Sequence, residues 1–267
     1  MSDAVFSLHR GSQPLLVSMP HVGTEIPPDL VEDFVDDALR VPDTDWHLEP
    51  LYRFVRTRGA SVLVPRLSRY VIDLNRPGDD RPMYAGANNT ELCPTRSFAG
   101  EPLYRPGRAP DDVEIARRRA AYWQPYHDAL AQELDRLKRA HGHVVLFDAH
   151  SIRSELPWLF EGKLPDLNLG TAGGASCAPS LRDALCRVLA AQRRYTYAVD
   201  GRFKGGHITR HYGQPDRGVH AVQLEMCWSC YMHERAPYVV DDALAGELGA
   251  VLAPLVEAML AWRPDAG

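Results

Sequence analysis

Residues 144–151 read VVLFDAHS, an apolar run that ends in polar residues. Four consecutive apolar residues, two of them β-branched valines, predict a strand that is covered on both faces. Asp148 and His150 lie two positions apart, so the alternation of a strand places both side chains on one face. Open α/β sheets bind ligands at the carboxyl ends of such strands. The segment alone predicts a buried strand that ends either in a hydrogen-bonded Asp–His turn or in a metal ligand, His150.

The chain has 267 residues, of which 45% are hydrophobic and 24% charged, values that are typical of globular proteins. The net charge of −5 offers no basic surplus for nucleic acid or an anionic membrane. We find neither a signal-peptide pattern nor an unbroken apolar run of about 18 residues. The five cysteines are odd in number and scattered, which favours free thiols. We therefore expect a cytoplasmic protein; its oligomeric state is not indicated.

Alternating strand and helix patterns predict one α/β domain over residues 1–267, with a mixed central sheet flanked by helices. Apolar runs predict the other strands at 14–20, 60–64, 69–76, 166–171, 195–199 and 219–224. Apolar residues at three- and four-residue steps predict helices at 28–39, 43–59, 111–140, 179–191 and 241–262. Pro125 should kink or split the long helix, because proline cannot donate a helical hydrogen bond.

The region 78–110 is rich in proline, glycine, asparagine and arginine and shows no periodic pattern. Connections of this length inside a compact domain are usually functional or disordered. Tyr84, Leu92, Phe98 and Leu103 can attach it to the rest of the chain. The region is therefore predicted to be a flap that covers a site.

Polar residues stand where several predicted strands end or a helix begins. His21, His150 and Glu225 follow apolar strands, and Asp43 and Asp45 open a helix. Because a sheet gathers the carboxyl ends of its parallel strands at one edge, we expect these side chains to lie together. Two histidines and a carboxylate form a common open zinc site, beside which a glutamate can act as general base. The pattern predicts a metal-assisted amidohydrolase that acts on a small acidic substrate.

Longer motifs carry a resemblance to a known family. They read PHVGTEIP at 20–27, DTDWH at 43–47, SRYVIDLNRP at 68–77, FDAHS at 147–151, GRFKGG at 201–206 and TRHYG at 209–213. Together they resemble the N-formylglutamate amidohydrolases, over about residues 14–232. The resemblance implies a zinc-carboxypeptidase-like α/β fold. It also implies the release of formate from N-formyl-L-glutamate, a step of histidine degradation. Aspartoacylases and succinylglutamate desuccinylases are more distantly similar.

The resemblance implies one zinc ion bound by His21, Asp45 and His150. The distant relatives use His-x-x-Glu for their first two ligands, but this chain has a threonine three residues after His21. The second ligand is therefore assigned to Asp45 by similarity to the broader family. Three nearby residues are alternatives to Asp45 as the second metal ligand, namely Asp43, Glu25 and His47. Asp148 is expected to orient a metal-bound histidine. His/Asp sites also accept iron, manganese or cobalt.

The same resemblance implies how substrate is bound and hydrolysed. Glu225 would act as general base toward a zinc-activated water, and Arg69 would stabilise the oxyanion. Asn75 and Arg76 would bind the α-carboxylate of the substrate. The side-chain carboxylate needs a second cationic partner, and we assign this role to Arg202. Arg210 and His211 are the alternatives to Arg202. Two other functions fit the same pattern, a zinc deacylase for another N-acyl acidic amino acid and a non-catalytic dicarboxylate-binding protein.

Overall fold

The computed structural model describes residues 5–81 and 90–264. These residues contain a seven-stranded sheet with the strand order β1-β3-β2-β4-β7-β5-β6. The strands are β1 (Phe6–His9), β2 (Leu15–Ser18), β3 (Ser61–Pro65), β4 (Val144–Ile152), β5 (Leu167–Gly170), β6 (Tyr197–Val199) and β7 (Val219–Cys227). Strands β3, β2, β4 and β7 are parallel neighbours. Strand β1 runs antiparallel to β3 and β5 runs antiparallel to β7, while β6 is parallel to β5. The predicted mixed sheet flanked by helices is confirmed.

Helices cover both faces of the sheet. They are α1 (Leu48–Leu51), α2 (Phe54–Thr57), α3 (Asp112–Arg118), α4 (Gln124–His141), α5 (Pro179–Ala191), α6 (His207–Tyr212) and α7 (Asp242–Ala261). Leu16, Leu63 and Leu146 pack on the face that α4 covers. Their neighbours Val17 and Val145 point to the opposite face, which α5 and α7 cover. Covering on both faces explains why all nine residues of β4 are buried.

Helix α7 is long and apolar enough to cross a membrane when judged by its length and composition. Its 18-residue apolar window is 33% buried within the protein. Leu248, Leu252 and Val256 belong to the core cluster that covers one face of the sheet. Core helices of ordinary globular proteins pass the same length and composition test, so α7 is weak evidence for a membrane span.

Residues 69–76 do not form the predicted strand. They form consecutive turns, because their backbone groups bond to side chains and to a neighbouring loop instead of to the sheet. The carboxylate of Asp73 accepts a hydrogen bond from the backbone N–H of Asn75 at 2.8 Å. The N–H of Asp73 itself donates to the carbonyl of Leu92 at 2.7 Å. The segment is buried like a strand, which explains the misleading sequence pattern.

The helix predicted at 28–39 is also wrong. The structure has two short 3-10 helices there, Val31–Asp33 and Ala38–Arg40. Between them, the N–H of Val35 donates to the carbonyl of Leu103 at 2.9 Å. This bond to a distant loop replaces a helical bond and interrupts the helix.

The helix predicted from residue 43 begins only at Leu48, and Asp43 and Asp45 do not cap it. His47 precedes it in the left-handed region, with φ of 60°. Residues 43–47 therefore form a separate turn that presents its side chains to the sheet edge. Gly59 ends the second short helix with φ of 79°, as its position in the sequence predicts.

The long helix predicted at 111–140 is divided as expected. A π-helical turn, Arg119–Trp123, separates α3 from α4 and directly precedes Pro125. The wider turn relieves the contact between the proline ring and the preceding turn. In the flap region, Leu92, Phe98 and Leu103 are buried against the domain. Tyr84 lies outside the described residues.

Candidate active site

Three buried side chains converge at the carboxyl edge of the parallel strands. His21 follows β2, Asp45 lies in the turn before α1, and His150 is part of β4. Oδ2 of Asp45 lies 3.3 Å from Nδ1 of His150 and 3.9 Å from Nδ1 of His21. The two Nδ1 atoms are 3.2 Å apart. Tetrahedral zinc with bonds of about 2.1 Å separates its ligand atoms by about 3.4 Å. These three residues, the ligand cluster, therefore have the spacing of a metal site.

The outer nitrogens of both histidines contact carboxylates. Nε2 of His21 lies 2.8 Å from Oδ1 of Asp73, and Nε2 of His150 lies 3.0 Å from Oδ2 of Asp148. Because an ionised carboxylate can only accept, each Nε2 carries a proton, and in the neutral imidazole the lone pair of Nδ1 then faces the cluster. Metal-bound imidazoles are commonly held in this way. Asp148 thus stands where the sequence interpretation places it, whereas Asp73 received no role there.

The electrostatics of the cluster also fit a cation. Within the described chain, Oδ2 of Asp45 is buried and has no hydrogen-bond partner. A buried carboxylate oxygen between two imidazoles is unfavourable unless a protonated histidine or a bound cation supplies positive charge. Burial alone would lower the pKa of His150, but the Asp148 carboxylate holds that pKa well above its ordinary value. Burial, together with the charge of Arg69, lowers the pKa of His21. Two nitrogens and one carboxylate oxygen are the donor set of an open zinc site.

Asp43 is engaged elsewhere. Its Oδ2 accepts hydrogen bonds from the hydroxyl of Tyr70 at 2.6 Å and from the backbone N–H of Phe98 at 2.7 Å. Burial raises the pKa of Asp43 in spite of these donors. The side chain therefore attaches the flap region to the turn that carries Asp45, and it is not part of the ligand cluster.

The other two alternatives for the second ligand also lie apart from the cluster. Glu25 is exposed and forms a bidentate pair with Arg66, with both N–O distances at 3.0 Å. Nε2 of His47 lies 2.7 Å from the carbonyl of Tyr238. Of the acids and the histidine considered from the sequence, the structure brings only Asp45 to His21 and His150.

Glu225 lies beside the ligand cluster on β7. It is the register partner of His150 on β4, so both side chains emerge from neighbouring positions on the sheet. Its carboxylate lines the cavity in front of the cluster and makes no hydrogen bond to the described part of the chain. Burial, opposed in part by the charge of His150, raises the pKa of Glu225 to about 8. A carboxylate with a raised pKa is suited to accept a proton near neutral pH.

Arg69 supplies positive charge at the same place. Its Nη2 donates to Oδ2 of Asp73 at 2.6 Å, and its Nη1 lies 3.3 Å from Nδ1 of His21. The guanidinium stacks over the ring of Phe98, 4.4 Å from the centroid. Burial favours the neutral form, yet Asp73 and other nearby carboxylates raise the pKa of Arg69. The group is therefore a fixed cation at the wall of the cavity.

Both the oxygen and the nitrogen of the Asn75 side-chain amide form hydrogen bonds. Oδ1 accepts from the backbone N–H of Ile208 at 2.8 Å. Nδ2 donates to Oδ2 of Asp148 at 3.3 Å and also lies 3.0 Å from Nε2 of His150. Gly206 packs against this amide so closely that a β-carbon on it would lie 2.3 Å from Nδ2. Asn75 lines the cavity, but its hydrogen bonds support the carboxylate that holds His150.

Arg76 and Arg202 are on the cavity wall. Nη2 of Arg76 donates to the hydroxyl of Thr90 at 2.7 Å, and Nη2 of Arg202 donates to the carbonyl of Leu159 at 3.2 Å. The structure gathers all eight residues predicted for the site around one cavity, since His21, Asp45, Arg69, Asn75, Arg76, His150, Arg202 and Glu225 all line it. The rest of the lining is largely apolar and includes Phe160 and Phe203. A small cavity with three arginines beside a metal-type cluster suits an anionic substrate.

Gln223 is a cavity residue that the sequence analysis did not find. It precedes Glu225 by two positions on β7, so both side chains lie on the same face of the strand. Its Oε1 accepts a hydrogen bond from the N–H of Gly206 at 2.7 Å, which fixes the orientation of the amide. Because side chains alternate between the two faces of a strand, the position of Gln223 two residues before Glu225 would have identified it as a cavity residue.

Comparisons with known proteins bear on the family and on the class of enzyme. The sequence profile of the N-formylglutamate amidohydrolase family matches residues 13–232. The N-formylglutamate deformylase of Pseudomonas putida is 51% identical over 263 residues, which cover 98% of each chain. The N-formylglutamate deformylase of Pseudomonas aeruginosa is 52% identical over 260 residues, which cover 97% of each chain.

Solved structures show the same fold. The N-formylglutamate amidohydrolase of Ralstonia eutropha JMP134 superposes with a TM-score of 0.80 at 27% identity, covering 96% of this chain and 97% of the other. A gene product of Agrobacterium tumefaciens superposes with a TM-score of 0.73 at 18% identity, covering 97% and 95%, and shows the fold alone. The resemblance predicted from the sequence motifs is confirmed, as is the class of enzyme, an amidohydrolase. The matched segment carries the ligand cluster and Glu225, and the chain belongs to the N-formylglutamate amidohydrolase family.

Proposed function

We propose that the protein hydrolyses N-formyl-L-glutamate to formate and L-glutamate with the help of one divalent metal ion, preferably zinc. The observation that carries the proposal is the single cavity in which the ligand cluster, Glu225 and three arginines meet. The names of the relatives at 51% and 52% identity support the substrate. His21, Asp45 and His150 would hold the ion. Iron, manganese and cobalt suit the same donor set.

Substrate binding follows from the charges of the cavity. N-formyl-L-glutamate carries two carboxylates, and Arg76 and Arg202 each present a guanidinium on the wall. Arg76 directly follows Asn75, whose amide contacts Asp148 and His150, so it would bind the α-carboxylate, which is close to the scissile amide. Arg202 would bind the side-chain carboxylate. Asn75 would contribute mainly by holding Asp148, although it also lines the cavity.

The chemistry requires a nucleophile, charge stabilisation and a proton for the leaving nitrogen. A divalent ion in the ligand cluster would polarise the formyl carbonyl and favour hydroxide over water at neutral pH. Glu225 would take a proton from the attacking water and deliver it to the amide nitrogen as the C–N bond breaks. Arg69 would stabilise the negative charge that develops on the formyl oxygen. The products are formate and the free amine of L-glutamate.

The direct test is formate release by the purified protein from a panel of substrates. The panel contains N-formyl-L-glutamate, N-formyl-L-aspartate and N-acetyl-L-glutamate, with acetate or formate measured as appropriate. We expect N-formyl-L-glutamate to give the largest kcat/KM, and a chelator to abolish its turnover until zinc is restored. Preference for the acetyl substrate would favour a deacylase of another specificity. Tight binding of the panel without turnover in the zinc-loaded protein would favour a dicarboxylate-binding protein.

We further propose that the protein works in the reducing cytoplasm, in the degradation of histidine. All five cysteines are free thiols, and four of them are buried. Burial raises the pKa of the Cys227 thiol, and it raises the pKa of the Cys230 thiol to about 12, so neither thiol is activated. Reduced, unreactive cysteines are typical of cytoplasmic proteins.

A further inference from the structure

A chain of buried hydrogen bonds lies behind the ligand cluster and centres on Tyr231. The tyrosine hydroxyl lies 2.8 Å from the carbonyl of Trp46 and 2.8 Å from Oγ of Ser151. Nε1 of Trp228 lies 3.2 Å from the same Ser151 oxygen. Tyr231, Ser151 and Trp228 are each no more than 2% exposed. The chain therefore runs through the protein interior, where hydrogen bonds are not weakened by competing water.

The Tyr231 hydroxyl is the centre of this chain. It has donor geometry toward both the carbonyl of Trp46 and Oγ of Ser151, so its one proton is shared between two acceptors. The indole of Trp228 can only donate, and it donates to the same Ser151 oxygen. Tyr231 therefore links the segment that contains Trp46 to the segment that contains Ser151.

The two linked segments each carry a member of the ligand cluster. Trp46 directly follows Asp45, and Ser151 directly follows His150. Asp45 lies in an irregular turn, whereas His150 belongs to the central strand β4. The backbone N–H of Asp45 donates to the carbonyl of His21 at 3.0 Å, which joins the third ligand to the same turn. The position of the Asp45 carboxylate relative to β4 thus depends on few bonds, of which the Tyr231 bond is one.

We propose that Tyr231 is a positioning residue that fixes the separation of Asp45 and His150 and thereby strengthens metal binding. The inference rests on the proposed function, because it assumes that the ligand cluster holds a metal ion. Removal of the hydroxyl breaks the link between the turn and β4 and leaves the carbonyl of Trp46 without this donor. The Asp45 carboxylate then samples positions away from the histidines, and metal affinity falls. Residues that hold metal ligands in place typically change affinity 10- to 100-fold.

The test compares two buried tyrosines that differ in what their hydroxyls contact. Tyr231→Phe removes the link, whereas Tyr52→Phe removes a hydroxyl whose hydrogen bond goes to the Met226 sulfur, 3.7 Å away. Tyr52 is 1% exposed, so both changes remove a buried hydroxyl and keep the ring. Zinc Kd is measured by competition with a chromophoric chelator, and Tm is measured for the metal-free forms. We expect Tyr231→Phe to raise the zinc Kd about 10-fold or more, and Tyr52→Phe to leave it within about twofold of the unaltered protein.

A second variant tests whether the chain acts as a unit. Ser151→Ala removes the middle hydroxyl, and the double variant with Tyr231→Phe removes both. If the two act in one chain, the double variant should bind zinc about as weakly as Tyr231→Phe alone, because coupled residues are not additive. Equal zinc Kd in Tyr231→Phe, Tyr52→Phe and the unaltered protein would refute the positioning role while leaving the proposed function intact. Failure of the unaltered protein to bind zinc or another divalent ion would overturn both.

Discussion

His150 and Glu225 are register partners on the adjacent parallel strands β4 and β7. One is a member of the ligand cluster and the other is the acid that faces the cavity beside it. All residues of both strands are buried, so neither strand can shift without disturbing the core on both faces of the sheet. The relation between the proposed metal ligand His150 and the proposed general base Glu225 is therefore set by two fully buried strands of the sheet, whereas Asp45 lies in an irregular turn.

Asp45→Asn should remove metal binding while the fold persists. The amide has the shape of the carboxylate but no charge, and it can direct N–H groups at the histidine lone pairs. We expect the zinc Kd to rise at least about 100-fold, since one of three protein ligands is lost. Asp43→Asn is the matched control, because Asp43 bonds to Tyr70 and Phe98. Zinc loss in the Asp43 variant with zinc retained in the Asp45 variant would reverse the ligand assignment.

Glu225→Gln should separate metal binding from turnover. Glutamine keeps the size of the side chain but cannot accept the proton of the attacking water. We expect kcat for N-formyl-L-glutamate to fall about 10²- to 10⁴-fold, the usual contribution of general base catalysis. Zinc content, measured by atomic emission, should stay near one ion per chain. A variant with full zinc content and unaltered kcat would remove Glu225 from the mechanism.

Much of the site could be predicted because its residues lie in or next to apolar strands. His21, His150 and Glu225 follow runs of apolar residues, and parallel strands β2, β4 and β7 bring such positions to one edge. Arg69 and Asn75 were placed by family motifs, and the strand predicted for them does not exist. This segment is buried outside the sheet, and its backbone is held by bonds such as that from the N–H of Asn75 to the Asp73 carboxylate. A hydrophobicity pattern cannot distinguish such a segment from a buried strand.

Contacts between distant segments could not be predicted. The link from Tyr231 to Trp46 joins positions 185 residues apart, and no local pattern encodes it. Strand β1, which pairs with β3, is absent from the strands predicted from the sequence, because Phe6–His9 is a short edge strand that is only partly buried. Helix α6 is not among the helices predicted from the sequence, since residues His207–Tyr212 show little apolar periodicity. Each of these features depends on tertiary packing more than on local propensity.

His127 should make the protein less stable in acid. Its Nε2 lies 2.9 Å from the carbonyl of Leu74 and its Nδ1 2.9 Å from the hydroxyl of Tyr212. Burial lowers the pKa of His127 to about 3, so the folded protein keeps the ring neutral. The unfolded chain binds a proton below about pH 6.5, and stability is therefore lost as pH falls from 6.5 toward 3, by up to about 1.4 kcal/mol per pH unit.

The measurement is the free energy of unfolding in urea between pH 7 and pH 4. His127→Gln should make the slope smaller, because the contribution of His127 to the difference in bound protons between the folded and unfolded states is removed. His141→Gln is the control, since His141 is exposed and should leave the slope unchanged. A His127 variant with the same pH dependence as the unaltered protein would show that other groups govern acid stability.

Arg202→Gln should weaken recognition of the substrate side chain. Arg202 lines the cavity, and a substrate carboxylate paired with it loses a charged partner in the variant. We expect kcat/KM for N-formyl-L-glutamate to fall about 30-fold or more, since loss of a buried charged partner costs about 2 kcal/mol or above. N-formyl-L-glutamine, which lacks the side-chain charge, should lose little. Arg210→Gln is the control, because Arg210 is not among the cavity-lining residues of the described chain. A larger loss of N-formyl-L-glutamate turnover with Arg210→Gln would transfer the role to Arg210.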